Sequence, residues 1–162
     1  MDQLEKGDEA MANNFRHRYF DPEPAMIPVE SATVIEIGDF VVLSGDYAAP
    51  AGSLADAGDA AANREAAADA FVGIAMSASA VGETEDIRVG TSGVWELNQK
   101  SAAAIHFGDP VGIYASADAC EDQTCVEDAT SPIGVCWKAK LSTSDPSVLV
   151  KILPSKINTL NA

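Results

Sequence analysis

An all-β fold built from two related units is what this sequence predicts, and three observations carry the expectation. The run Ile35-Glu36-Ile37-Gly38-Asp39-Phe40-Val41-Val42-Leu43 returns seventy positions later as Ile105-His106-Phe107-Gly108-Asp109-Pro110-Val111-Gly112-Ile113. Apolar residues alternate on both sides of the Gly-Asp pair, the two-residue period of half-buried strands. A second echo follows, Phe71-Val72-Gly73-Ile74-Ala75 against Pro132-Ile133-Gly134-Val135-Cys136, each leading to an alternating run at Asp86 to Val89 and at Val148 to Leu153. Short strands separated by turn residues predict a single β-barrel or sandwich-like domain whose two units share one core, with one short helix and an extended N-terminal arm.

The arm comes first, at residues 1–30. It is polar and contains Pro22, Pro24 and Pro28. Proline fixes φ and removes an N–H, so 21–28 is expected to be extended. Within the arm, Phe15-Arg16-His17-Arg18-Tyr19-Phe20 gathers aromatics and arginines, a composition enriched at protein interfaces. Phe15, Arg16, Arg18, Tyr19 and Phe20 are therefore candidate contact residues, the alternative being a segment folded back on its own domain.

The β domain is expected over 31–155, with pseudo-repeat units at about 31–97 and 101–155 and a tail at 156–162. Residues 32–43 read as the first strand pair around the Gly38-Asp39 turn, where a glycine permits a backbone turn that a Cβ resists. Residues 44–58, with Gly45-Asp46, Pro50 and Gly52, read as a loop. The Ala-rich stretch 59–70 predicts a short helix with Asp59 capping its first free amides. Phe71 to Met76 predicts a buried strand with a close backbone approach at Gly73, and Gly134 holds the same place in the second copy. Strands follow near Ile87 to Val89 and Gly93 to Leu97, then the Gly108-Asp109 turn. An acidic loop is expected at 118–130, and the closing strands at Pro132 to Lys138 and Ser147 to Leu153.

Ten Lys and Arg against twenty-five Asp and Glu in 162 residues give a net charge of −15. Such a charge repels nucleic acid phosphates and anionic membrane surfaces. The first residues have no apolar signal core and no run approaches a spanning helix, so a soluble chain without a secretion signal is expected. Cys136 lies in the apolar run Ile133 to Trp137 and reads as a small buried hydrophobe. Cys120 and Cys125 are spaced compatibly with a local disulfide, while reduced thiols are the default in cytosol.

Catalytic chemistry finds little support. His106 has Ser101 and Asp109 near it in sequence but no nucleophile-elbow context, and reads as a turn histidine. No Cys and His spacing makes a zinc site, and no glycine-rich segment cradles a nucleotide. The carboxylates Asp118, Glu121, Asp122, Glu127 and Asp128 lack the glycine and spacing of a calcium loop. No catalytic residue, cofactor or metal is assigned, and the chain reads as a protein that works through its surface.

The set formed by Met11-Ala12-Asn13-Asn14-Phe15-Arg16, Ser31 to Asp39, Ala70 to Met76, Asp86 to Leu97, Phe107-Gly108-Asp109 and Ile133-Gly134-Val135 resembles the decoration, or cement, proteins of tailed-phage capsids. The resemblance implies a β-rich structural protein, made in the host cytoplasm, that seats as a homotrimer on the outer surface of the expanded capsid. It also implies contact with the major capsid protein and reinforcement of the shell against DNA pressure. Residues 1–10 depart from it, either as a genuine extension or as an upstream start. The rival expectation is a small-molecule or glycan-binding β-barrel module of the virion surface.

Overall fold

The computed structural model describes residues 17–19, 22–100, 103–140, 142 and 146–155. The strands are β1 (His17–Tyr19), β2 (Pro24–Ile27), β3 (Phe40–Ser44), β4 (Tyr47–Pro50), β5 (Phe71–Ala75), β6 (Ile87–Gly90), β7 (Val94–Gln99), β8 (Pro110–Ala115), β9 (Cys120–Glu127), β10 (Gly134–Lys138) and β11 (Ser147–Ile152). A 3-10 turn, Ala51–Ser53, follows β4, and the helix α1 spans Ala60–Ala70. Asp59 caps α1 as expected, its side chain accepting from the Ala62 N–H at 2.9 Å.

The duplication read from the sequence is a duplication of strand order. One sheet runs β2-β6-β5-β3-β4; the other runs β7-β11-β10-β8-β9, with β1 added beside β7. Each strand of the first thus has a counterpart in the second. Both sheets curl back on themselves through a parallel contact, Val29 to Ala48 in the first unit and Asn98–Gln99 to Thr124–Cys125 in the second. The result is two small barrels in tandem, and the all-β class with two related units stands.

Strand alternation fills each barrel with equivalent side chains. Ile35, Val41, Val72, Ala75, Ile87 and Val89 cluster in the first, and their counterparts Ile105, Val111, Ile133, Cys136, Val148 and Val150 are buried in the second. The opposite faces of β3 and β5 place Phe40, Val42, Phe71 and Ile74 in a cluster with Trp95, Ile113 and the helix alanines Ala67 and Ala68. Two clusters therefore replace the single shared core that was expected, and the larger one continues from the second barrel across the junction.

Four sequence expectations are corrected. The arm does not run to residue 30: β2 pairs with β6 from Pro24–Gly90 to Ile27–Ile87, and Val29 is 1% exposed, because its prolines are accommodated at a sheet edge. The repeat accordingly begins one strand earlier, β2 being the counterpart of β7. Residues 47–50 form β4 rather than loop, since Ala48 and Ala49 are small apolar residues that pack inward beside turn-forming neighbours. The acidic stretch 120–127 is the longest strand, β9, with Cys120 and Cys125 buried and the four residues between them half-buried. The run before each Gly-Asp turn supplies a single bridge, Ile35 with Ser79 and Ile105 with Lys140, instead of a full strand.

Candidate interaction surface

The Gly-Asp turns are built identically. Gly38 has φ of +96° and Gly108 of +88°, the left-handed region that favours glycine. The Gly38 N–H donates to the Ala75 carbonyl at 2.9 Å and the Gly108 N–H to that of Cys136 at 2.8 Å. The aspartate closes each turn from its side chain: Asp39 Oδ2 accepts from the Glu36 N–H at 2.8 Å, and Asp109 Oδ2 from the His106 N–H at 2.7 Å. Sequence reasoning found the glycine's role and missed the carboxylate's. Its repetition at the same offset was the available signal, because an Asp that bonds backbone three residues back is a standard turn device. His106 is exposed in this turn, and Asp109 is engaged with its backbone.

Gly73 and Gly134 are close-approach positions. A Cβ on Gly73 would lie 2.1 Å from the Gly90 carbonyl oxygen, and one on Gly134 would lie 2.3 Å from that of Lys151. These turns and crossings are scaffold. They fix which faces of the barrels point outward.

The thiols are scaffold as well. Cys120, Cys125 and Cys136 are all free and buried, so the Cys120–Cys125 bridge considered above is not formed in the structure. The Cys120 Sγ instead donates to the Asn63 carbonyl at 3.3 Å. Burial pushes the Cys125 thiol up to about 12. Among the described residues, no three His, Cys, Asp or Glu side chains gather into a set that could hold a metal ion.

Of the predicted arm contacts, Phe15, Arg16 and Phe20 lie outside the described residues, as does the side chain of Tyr19. Arg18 is exposed and pairs with Glu96 on β7, its Nε donating to Oε2 at 2.8 Å. His17 stands edge-on to Trp95 at 5.4 Å. The end of the arm is thus folded back along the second barrel, and a groove of about 300 Å³ opens beside it between Arg18, Glu96, Lys138, Lys140 and Ser147.

Next to that groove lies a face that sequence reasoning did not single out. The outward side chains of β10 and β11 are Val135, Trp137, Leu149 and Lys151, with Phe107 of the Gly-Asp turn beside them. Phe107 is 66% exposed and meets Trp137 at 5.8 Å between ring centroids, while the Lys151 Nζ sits 4.9 Å over the Trp137 ring. Aromatic area next to lysines on a strongly acidic chain is composition suited to contact with another macromolecule. The interiors of both barrels, by contrast, are filled with side chains.

A family model described as phage cement protein matches residues 24–152. No curated protein matches the chain. The matched span opens on the first residue of β2 and closes on the last of β11, so it takes in both barrels and the turns that define them. This chain therefore belongs to the phage cement protein family, structural proteins of the virion that decorate the capsid surface.

Proposed function

We propose that the protein binds the outer surface of the expanded icosahedral capsid as a homotrimer, contacts the major capsid protein, and stabilises the shell against internal DNA pressure. The observation that carries this reading is the family match across both barrels. Two physical features support it. Filled, doubly packed barrels make a rigid body that can bridge neighbouring subunits without deforming. A net charge of −15 disfavours binding to DNA or to an anionic membrane, which leaves protein as the natural partner. The chain is made in the host cytoplasm, where its thiols stay reduced. A ligand-binding module is the weaker reading, because a ligand would have to bind outside barrels whose interiors are occupied.

In this proposal the arm is the anchor, with Phe15, Tyr19 and Phe20 supplying buried aromatic area and Arg16 facing carboxylates of the partner, while Arg18 ties the end of the arm to Glu96 of its own barrel. Deleting residues 1–20 removes β1 with its pairing to β7, the His17–Trp95 contact and the Arg18–Glu96 pair, and should leave a soluble, β-rich protein that melts somewhat below the full chain. The truncation should weaken attachment to undecorated shells at least about tenfold, equal to about 1.4 kcal/mol. Co-sedimentation with empty shells is the test. Equal binding by truncated and full-length protein removes the arm as anchor; no binding by either removes the decoration reading.

A further inference from the structure

The duplication shows how one of its own faces is covered. In the first unit, the outer side of β5 and β6 is buried by the second unit: Trp95 of β7 lies against Gly90, where a Cβ would come within 2.4 Å of its ring, and Gln123 of β9 donates to Asp39 at 2.8 Å. Ile74 on this face is 1% exposed. The counterpart face in the second unit is the outer side of β10 and β11. Here Lys151 stands where the first unit has Gly90, Trp137 where it has Met76, and Phe107 where it has Ile37, and this face is partly open.

The elements that do the covering have counterparts too. β7 and β9 correspond to β2 and β4, and Trp95 corresponds to Ala25. Bulk has therefore moved from the covering strand to the covered face: a large Trp lies over a glycine in one case, and in the other the face carries Trp and Phe while the covering strand's counterpart residue, Ala25, packs against the first barrel's own cluster. The β2–β4 side presents Met26 at 56% and Tyr47 at 41% exposure. Among the described residues, the edge of β2 matching the β1-paired edge of β7 carries no strand. Lys138 and Lys151 lie on one surface, and the other is of mixed charge, with exposed Glu23, Glu30 and Asp46 around it and Arg88 directly across from Met26.

We infer that the β10–β11 face of one copy docks on the β2–β4 side of a second copy, repeating between chains the contact that joins the two units within one. Such a contact is head-to-tail, and head-to-tail contacts build closed rings when the rotation closes. The inference rests on the oligomeric part of the proposed function and names its surfaces.

Sedimentation equilibrium of the full chain tests it with two variants. Phe107→Glu/Lys151→Glu alters one surface, and Met26→Glu alters the other, with circular dichroism as the folding control. Wild type should sediment as an oligomer, and each variant should fall to the 16.8 kDa monomer. An equal mixture of the two should recover a dimer and nothing larger, since only one intact interface is left. Should Met26→Glu unfold its barrel, Tyr47→Glu replaces it. A monomeric wild type, variants that keep the wild-type mass, or a mixture that stays monomeric overturns the inference. Binding to undecorated shells, measured on the same samples, keeps the two readings apart. Variants that retain the oligomer but lose shell binding would assign the face to the capsid, whereas a wild type that binds no shells would instead sink the decoration reading.

Discussion

A Cβ on Gly108 would meet nothing within 4 Å, so replacing this glycine costs only the left-handed backbone, about 1 to 2 kcal/mol. Gly73 has no positive φ, but its missing side chain leaves room for the Gly90 carbonyl at a barrel crossing. Backbone cannot yield there as a side-chain tip can. Gly73→Ala should therefore lose more than about 3 kcal/mol and Gly108→Ala clearly less, as read by denaturant unfolding. Equal losses would contradict the ranking. Asp39 offers a test of sign. Burial raises its carboxyl above the ordinary 3.8, against hydrogen bonds from Glu36 and Gln123 that lower it. A raised folded value means tighter proton binding in the folded state, so this group's contribution is full below 3.8 and is lost as pH rises through the raised value. Asp39→Asn keeps an acceptor for the Glu36 N–H and carries no charge to desolvate. Its melting temperature relative to wild type should be higher at neutral pH than in acid, and a difference that does not change with pH would sink the assignment.

At the scale of elements, α1 is held by one side chain more than by its cap. The Asn63 amide donates to the carbonyls of Ala117 at 3.2 Å and Ser116 at 3.4 Å, and its Oδ1 accepts from the Ala57 N–H at 2.7 Å. Asn63→Ala strands these buried groups and should cost about 1 to 3 kcal/mol, more than the roughly 1 kcal/mol of Asp59→Ala. Thermal melts of the two variants would show the order, and a greater loss at Asp59 would reverse it. The helix was legible in the sequence because alanine propensity and a capping Asp act locally. β3, β5, β8 and β10 were legible because burial imposes a period that survives in the residues. β9 was not, since the half-buried polar run Glu121 to Thr124 interrupts that period, and its strand state comes from β8 and β7 on either side. β2 was hidden by prolines that a sheet edge tolerates. The sequence pointed to the arm as the contact region and passed over Phe107 and Trp137: strand parity turns Trp137 outward, but only the fold brings the exposed Phe107 of the turn beside it.

Taken whole, the molecule has two barrels and one junction. Phe40, Phe71 and Ile74 of the first unit belong to the same apolar cluster as Trp95, Ile113 and Cys120 of the second, and Arg64 of α1 stands 3.1 Å from Asp128 after β9 as a half-buried ion pair. Neither barrel can open without exposing that surface. Calorimetry should record a single transition whose measured enthalpy equals its van't Hoff value. Two resolved transitions would show the units to be independent.

Repeated strand order also bears on how the chain reaches this state. β3 and β8 carry the same alternation and seek the same kind of neighbour, so an unfolded chain holds two acceptors for each strand, the condition under which tandem modules exchange segments. Loop entropy separates the right pairing from the wrong one only weakly, by about 0.6 kcal/mol for each doubling of the intervening length. Synthesis from the N-terminus supplies the missing order, because 24–90 leaves the ribosome complete before β10 exists to compete for β3. Correct assembly of the duplicated core is thus favoured by the direction of translation, an advantage that a chain refolding from denaturant does not have.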